Sequence, residues 1–236
     1  MTQSEWHMKS KSPIIVALDF PDLERTVEMI RKTEQSISIY KLGLEFFLSQ
    51  GRRGVIEIKK AFPGIDIFLD LKLHDIPNTV AGACAGIADL QPKFLTVHAS
   101  GGGEMIKAAV AKVSNTSITA VTVLTSLDKN ELLNLGLPKD PQALALALAK
   151  RAVASGATSI VCSPHEASLL RKELAEEVLL ITPGVRPSDA SHDDQNRVMT
   201  PRAALDAGAN YVVIGRPITK AADPRFAAAE IAASLS

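Results

Sequence analysis

Short apolar segments rich in Ile and Val alternate along the chain with longer Ala- and Leu-rich segments, in which apolar residues recur at helical spacing. This alternation predicts repeated strand–helix units around a parallel sheet. The predicted strands are Ile14–Leu18, Ser38–Leu42, Ile65–Leu71, Phe94–Val97, Ile118–Leu124, Ser159–Cys162, Val178–Ile181 and Tyr211–Ile214. The predicted helices include Pro21–Thr33, Leu44–Ala61, Asn78–Leu90, Gly103–Val113, Pro141–Ser155 and Pro201–Ala207.

Eight such units predict an α/β fold that closes into a (β/α)₈ barrel of the TIM type. An open, doubly wound sheet is the alternative, but it usually carries a glycine-rich turn after its first strand, and Asp19–Asp22 contains no glycine. The chain has no linker-like or low-complexity block. We therefore expect residues 1–236 to form one barrel domain, with residues 1–12 as an N-terminal extension outside its core.

Composition favours a small-molecule enzyme over a nucleic-acid or membrane partner. Lys plus Arg and Asp plus Glu each number 26, so the chain has no net field that would attract a polyanion. No apolar run approaches ~18 residues, and the first twelve residues lack the hydrophobic centre of a signal peptide, so a cytoplasmic location is expected. Cys84 and Cys162 lack any metal-ligand spacing and are predicted to be buried apolar residues, without a disulfide or zinc.

Polar residues recur at the carboxyl ends of the predicted strands, which is where barrel active sites are built. In strand order they are Asp19, Lys41, the group Asp70, Lys72 and Asp75, then His98, Thr125 with Ser126, Arg186, and Gly215 with Arg216. A closed barrel brings all of these strand ends to one mouth. The sequence therefore predicts a single site at that mouth.

Asp70 and Lys72 end the third predicted strand, although a buried strand should be apolar. Because alternate residues of a strand share a face, both side chains should point with Phe68 into one cavity. Buried charges cost several kcal/mol unless they are paired, and the alternating signs along the array allow such pairing. A substrate carboxylate beside Asp70 would be repelled and its loss as CO₂ would relieve the repulsion, while Lys72 could donate a proton. A structural ion-pair network is the alternative.

A phosphate site is predicted at the last strand, because Gly215 and Arg216 follow it at the place where barrels often bind phosphate. A glycine turn with a solvated arginine is the alternative. Residues 183–199 form a long polar connection that carries Arg186 and Gln195, and we interpret it as a lid over the ligand rather than an ordinary surface loop. Ser163 is interpreted as a helix N-cap, and His74 and His98 as structural histidines.

The motifs extend over nearly the whole chain: VALD at 16–19, YKLG at 40–43, DLKLHDIPNT at 70–79, TVHA at 96–99, LTS at 124–126, TPGVRP at 182–187, DQ at 194–195 and VIGRP at 213–217. On these motifs the chain resembles the bacterial orotidine 5′-phosphate decarboxylases, which convert orotidine monophosphate to uridine monophosphate. The resemblance implies a homodimeric (β/α)₈ barrel that uses no metal or organic cofactor and shares its active sites between subunits.

The resemblance also implies a role for each matching residue. Lys72 would donate the proton to pyrimidine C6, Asp70 would lie beside the departing carboxylate, and Lys41 and Asp75 would complete the charged array, with Asp75 supplied by the other subunit. The substrate-binding residues would be Asp19 and Lys41 at the ribose, Thr79 in the same interface loop as Asp75, Thr125 or Ser126 at the pyrimidine edge, with Thr125 preferred, and Arg186, Gln195, Gly215 and Arg216 at the phosphate.

Two other functions are alternatives to this one. A magnesium-dependent sugar-phosphate decarboxylase or aldolase would share the barrel and the Asp-x-Lys motif, and the 3-keto-gulonate 6-phosphate decarboxylase group is an example. Those enzymes carry a Glu on strand two that helps to bind the metal. This chain has Lys41 at that place, and its positive charge would repel Mg²⁺. A non-catalytic phosphometabolite-binding protein is disfavoured because every mapped charge is intact.

Overall fold

Eight parallel strands close into one barrel in sequence order, as a computed structural model describes for residues 12–138, 140–186 and 199–235. The strands are β1 Ile14–Leu18, β2 Ile39–Gly43, β3 Asp66–Leu73, β4 Phe94–His98, β5 Ser117–Val121, β6 Ser159–Val161, β7 Leu179–Thr182 and β8 Tyr211–Ile214. β1 pairs with β8, which closes the sheet. The predicted (β/α)₈ barrel is confirmed, and each predicted strand is present.

Helices surround the barrel. They are α1 Leu23–Thr33, α2 Leu44–Ala61, α3 Pro77–Ile87, α4 Gly103–Val110, α5 Lys129–Asn134, α6 Pro141–Ala154, α7 Pro164–Glu173, α8 Pro201–Asp206, α9 Arg216–Thr219 and α10 Pro224–Ser234. Several begin with an aspartate whose carboxylate accepts amide hydrogen bonds from the first turn, as Asp22 does from Arg25 at 2.7 Å. Ser163 occupies the N-cap position of α7, as predicted.

Two strand ends differ from the prediction by more than one residue, those of β5 and β3. β5 was predicted to continue to Leu124 but ends at Val121, because the chain turns there and the Leu127 amide bonds to the Leu124 carbonyl at 3.0 Å. The apolar residues Val123 and Leu124 instead line a cavity above the strand end. β3 continues to Leu73, two residues beyond the predicted end, and so carries its charged residues within the strand.

The apolar core has two main parts, one on each face of the strands, and a small third cluster is formed by Val123, Leu132 and Ala145. Side chains facing the helices form the larger part, and a smaller cluster fills the inside of the barrel. The inner cluster is built from Ile15, Ile39, Phe68, Phe94 and Ile181, and all five are at most 1% exposed. Phe68 and Phe94 pack edge to face with ring centroids 5.5 Å apart. This cluster fills the barrel below the carboxyl ends of the strands.

Both cysteines and Ser12 are buried. Cys84 and Cys162 are free and buried, and burial raises the pKa of their thiols to about 11 and about 12. Ser12, assigned from sequence to the N-terminal extension, is buried and its hydroxyl accepts a hydrogen bond from the Ile14 amide at 3.4 Å. Residues 1–11 lie outside the described part of the chain.

Among the described residues, no helix is both long enough and apolar enough to cross a bilayer.

The inner cluster is expected to contribute strongly to the stability of the barrel, because its members are fully buried. We predict that Phe94→Ala lowers the free energy of unfolding by about 3–5 kcal/mol, because it removes a fully buried ring and leaves a cavity against Phe68. Phe226→Ala is the matched control: Phe226 is 60% exposed, so its loss should change stability by less than about 0.5 kcal/mol. Urea unfolding followed by circular dichroism measures both, and equal effects would contradict this account of the core.

Candidate active site

Four charged side chains from three neighbouring strands meet at the barrel mouth in alternating sign. Lys41 Nζ lies 3.0 Å from Asp19 Oδ1 and 3.5 Å from Asp70 Oδ2. Lys72 Nζ lies 2.8 Å from Asp70 Oδ1. The order in space is therefore Asp19, Lys41, Asp70, Lys72. These are four of the five residues in the charged array that the sequence predicted for the ends of β1, β2 and β3; the fifth, Asp75, does not join them within this chain.

Asp70 lies at the centre of the array, paired with both lysines and nearly buried. Its side chain and that of Lys41 are each only 12% exposed, whereas those of Lys72 and Asp19 are 32% and 57% exposed. Burial by itself would raise the pKa of Asp70. The charges of Lys41 and Lys72, with hydrogen bonds from Lys72 and Thr96, outweigh burial and hold this pKa below its usual value. Asp70 is therefore a carboxylate at neutral pH.

The backbone of β3 is irregular where it carries Lys72. Leu69 pairs with Leu95 of β4 and Leu73 pairs with Val97, so four steps along β3 span two steps along β4. Lys72 itself has a φ of 47°, in the left-handed region that non-glycine residues seldom occupy. The predicted outcome, Asp70 and Lys72 in one cavity with Phe68, is confirmed. The regular alternation assumed from sequence holds along β2 as far as Asp70, which pairs with Gly43, whereas Lys72 lies in the bulged part of the strand.

The array opens onto a cavity of about 170 Å³ inside the barrel mouth. A single water molecule needs only ~10–15 Å³ on the same kind of measure, so the cavity can admit part of an organic molecule. The charged residues Lys41, Asp70 and Lys72 line it from β2 and β3. Its lining also includes the apolar residues Val121, Val123, Leu124, Val161, Cys162 and Val213. The cavity thus combines charged side chains with apolar ones.

Of the two hydroxyl residues considered for the pyrimidine edge, Thr125 lines the cavity. It lies on the exposed turn that follows β5, next to Leu124. This placement supports the preference for Thr125 over Ser126, and its contact with a pyrimidine stays a prediction.

The residues predicted to bind phosphate lie at the ends of β7 and β8. Gly215 and Arg216 follow β8 directly, and Arg216 begins the short helix α9. Arg186 follows β7, and its amide donates to the Met199 carbonyl at 3.1 Å within an isolated parallel bridge between Val185 and Met199. That bridge holds together the two ends of the predicted lid. Gln195 and residues 187–198 lie outside the described part of the chain.

Asp75 and Thr79 are not brought into the array within this chain. Asp75 is exposed, and its Oδ1 accepts the Ile76 amide at 2.6 Å. It forms no ion pair with any residue in the described ranges. Thr79 is exposed in the first turn of α3. Their predicted contribution to a neighbouring subunit's site remains a prediction.

Two residues that matter for the geometry were not given a role from sequence. Thr96 of β4 is fully buried and contacts both Asp70 and Lys72, and its only signal is a polar residue at an inward-facing strand position. Gly43 ends β2, where an added Cβ would lie 3.1 Å from Asp19 Oδ1 and 3.2 Å from Lys41 Nζ. Glycine therefore leaves the space in which that ion pair forms.

His74 and His98 lie beside the array with ring centroids 5.2 Å apart. Burial lowers the pKa of His98, and the nearby charges of His74 and Lys72 lower it further, while Asp70 opposes them. His98 is therefore neutral at neutral pH and adds no charge to the site. This agrees with its interpretation as a structural histidine.

Comparisons with known proteins identify the family. The family model described as orotidine 5′-phosphate decarboxylase / HUMPS family matches residues 12–231. The chain is 50% identical over 224 residues to the orotidine 5′-phosphate decarboxylase of Thermobifida fusca (strain YX), covering 95% of this chain and 96% of that protein. It is 48% identical over 229 residues to the enzyme of the same name from Laribacter hongkongensis (strain HLHK9), covering 95% and 93%.

A solved structure gives the same result. The crystal structure of orotidine 5′-phosphate decarboxylase from Lactobacillus acidophilus superimposes with a TM-score of 0.82 at 36% identity, covering 95% of this chain and 99% of that one. Sequence and structure agree over nearly the full length, and the charged residues at the barrel mouth fall within the matched range. The chain therefore belongs to the orotidine 5′-phosphate decarboxylase / HUMPS family.

Proposed function

We propose that this protein is a carboxy-lyase that decarboxylates orotidine 5′-phosphate to uridine 5′-phosphate, the last step in the synthesis of that pyrimidine nucleotide. The observation that carries the proposal is the alternating Asp19–Lys41–Asp70–Lys72 array at the barrel mouth, in a chain 50% identical to a named orotidine 5′-phosphate decarboxylase. The array supplies charges of both signs at the place where a carboxylate must be lost and a proton gained.

Asp70 supplies the repulsion. Its carboxylate stays ionised because Lys41 and Lys72 flank it, and it is nearly buried, so water screens it poorly. At ~4 Å and an effective dielectric constant of ~20, two like charges repel by about 4 kcal/mol. A substrate carboxylate placed beside Asp70 would feel this repulsion in the ground state. The repulsion would disappear as the C–C bond breaks and neutral CO₂ leaves.

Lys72 supplies the proton. When CO₂ departs, the electron pair of the broken bond remains on pyrimidine C6, which has no neighbouring carbonyl positioned to accept it. An ammonium group next to C6 stabilises that charge and then donates a proton to it, which forms the new C–H bond. Lys72 Nζ is held 2.8 Å from Asp70, so the proton donor and the repelling carboxylate act on the same carbon.

The rest of the substrate would be held by residues around the mouth. In the proposal Asp19 and Lys41 bind the ribose hydroxyls and Thr125 meets the pyrimidine edge. The phosphate would be bound by Arg186, Gln195, Gly215 and Arg216 under the lid. Binding energy from this remote group can stabilise the closed, water-poor state in which the array acts.

The proposal includes a homodimer with shared active sites. Asp75 would extend the array of the neighbouring subunit, and Thr79 would bind substrate there. Asp75 is exposed and unpaired by any described residue, and the adjacent Ile76 is an apolar side chain 66% exposed. Both features are expected for a segment that packs against a second subunit. One barrel domain per chain and a cytoplasmic location belong to the same proposal.

The magnesium-dependent alternative is disfavoured by the position of Lys41. Its ammonium lies 3.5 Å from the Asp70 carboxylate and 3.0 Å from Asp19, so it already neutralises the carboxylates that a metal ion would need. A divalent cation bound between them would be repelled by Lys41. The proposed reaction therefore needs neither a metal nor an organic cofactor.

We predict that the purified protein converts orotidine monophosphate to uridine monophosphate at the same rate with and without a chelator. The ionic side chains of the chain replace the metal, so metal removal should have no effect. The loss of the orotate absorbance measures turnover directly. A protein that required added Mg²⁺, or that acted on a 3-keto sugar phosphate instead, would contradict the proposal.

We predict that Lys72→Ala lowers kcat by more than about 100-fold, because the proton donor is lost, while binding of uridine monophosphate stays measurable. Lys93→Ala is the matched control. Lys93 is another largely buried lysine paired with an aspartate, Asp66, at 2.7 Å, but it lies at the opposite end of the strands. It should keep near-normal kcat, and near-normal turnover of Lys72→Ala would remove Lys72 from its role.

We predict that a mixture of Asp75→Asn and Lys72→Ala regains activity that neither variant has alone. In a hybrid dimer with shared sites, one of the two sites contains intact Asp75 and Lys72, so about a quarter of all sites should be intact if equal amounts exchange at random. The measurement is turnover after subunit exchange. Absence of recovery, once mass spectrometry has confirmed hybrid dimers, would count against a shared site.

A further inference from the structure

The bulged end of β3 leaves the Lys72 backbone without its regular partner in the sheet. Between the paired positions Leu69–Leu95 and Leu73–Val97, the β3 chain is longer than the β4 chain opposite. Lys72 also has a φ of 47°, a left-handed conformation that is strained for a non-glycine residue. Such a conformation persists only where surrounding contacts hold it.

Thr96 of β4 supplies that contact. Its hydroxyl oxygen accepts the Lys72 amide at 2.8 Å, in place of a backbone carbonyl. An amide can only donate, so the Thr96 hydroxyl proton is free to be donated elsewhere. It is donated to Asp70 Oδ1, at 3.0 Å.

These bonds form a closed circuit. The Lys72 amide donates to Thr96, Thr96 donates to Asp70 Oδ1, and Lys72 Nζ also reaches Asp70 Oδ1 at 2.8 Å. One hydroxyl thus fixes both the backbone that carries the lysine and the orientation of the carboxylate. Asp70 Oδ2 is left facing Lys41. Thr96 is fully buried, so water does not compete for these bonds.

We propose that Thr96 is a positioning residue that holds Lys72 and Asp70 in their reactive arrangement through this one hydroxyl. The inference rests on the proposed decarboxylase function, which gives Lys72 and Asp70 their roles. Thr96 itself faces Asp70 and the β3 backbone and is not assigned any contact with substrate. It acts by keeping the proton donor and the repelling carboxylate at a fixed distance from each other.

The test compares Thr96→Val, which keeps the shape and removes the hydroxyl, with Thr96→Ser, which keeps the hydroxyl. We expect Thr96→Val to lower kcat about 10–100-fold with KM changed less than about threefold, because substrate contacts remain while the reacting groups lose their alignment. Thr96→Ser should stay within about threefold of the wild-type kcat. A merely structural role for the methyl group would reverse this order.

The pH profile provides a second readout. The charged groups that face Asp70 are Lys41 from β2 and Lys72 from β3, with His98 of β4 close enough to interact. Loss of the Thr96 hydrogen bond removes a contact that favours the ionised carboxylate, so the pKa of Asp70 should rise. The acid limb of kcat/KM should therefore move to higher pH in Thr96→Val and stay in place in Thr96→Ser.

Thr119→Val is the matched control. Thr119 is the register partner of Thr96 on β5 and is also fully buried, but its hydroxyl bonds to Ser159 at 2.6 Å. Its loss removes a buried hydroxyl from the barrel interior without touching the array. We expect wild-type kcat and pH profile for Thr119→Val. A loss equal to that of Thr96→Val would show a general packing effect and overturn the proposal.

Hydrogen exchange separates this inference from the proposed function. Without the Thr96 hydroxyl, the Lys72 amide has no acceptor, so it should exchange faster in Thr96→Val than in the wild type or in Thr96→Ser, with no ligand present. Unchanged exchange and unchanged kcat in Thr96→Val would overturn the positioning role. Failure of the wild-type protein to decarboxylate orotidine monophosphate would instead overturn the proposed function, whatever the exchange result.

Discussion

Burial of the Asp70 carboxylate between two ammonium groups is the interaction on which the site depends. A nearly buried carboxylate would ordinarily take up a proton or lose its place in the fold, because desolvation opposes its charge. Lys41 and Lys72 reverse that outcome and hold its pKa below the usual value. The site therefore stores a charge that water cannot screen. Each ammonium group also uses the carboxylate: removal of Asp70 would take from Lys72 the carboxylate it pairs with and would leave Lys41 with Asp19 alone.

The barrel makes this arrangement possible by separating two kinds of interior. Below the mouth, Ile15, Ile39, Phe68, Phe94 and Ile181 fill the space between the strands with apolar side chains. Above them, the strand ends carry polar side chains into an open cavity. Phe68 belongs to both parts, since it packs on Phe94 and lines the cavity. The apolar cluster thus supports the polar cavity from below. β2 and β3 are neighbours in the sheet, so Lys41 and Asp70 are held by the same rigid element.

Local patterns sufficed to predict the strands, the closed barrel and the meeting of Asp19, Lys41, Asp70 and Lys72, since each depends on periodicity or on the common direction of strand ends. Three features depend on contacts that no local pattern encodes. The left-handed backbone of Lys72 arises from a mismatch between β3 and β4. The role of Thr96 follows from that mismatch, and the early end of β5 follows from a turn at Leu124–Leu127. In the proposed homodimer the place of Asp75 depends on a second subunit, which one chain cannot supply.

The geometry of the site also restricts Gly43, a residue that has no functional group of its own. A β-carbon added at that position would lie 3.1 Å from Asp19 Oδ1 and 3.2 Å from Lys41 Nζ. The backbone of Gly43 has an ordinary extended conformation, so its φ and ψ do not require glycine. Even alanine would press against both partners of a contact that is only 3.0 Å long. The amino acid at the end of β2 is thus limited by the space available: only a residue without a side chain leaves room for Asp19 and Lys41 to form their ion pair.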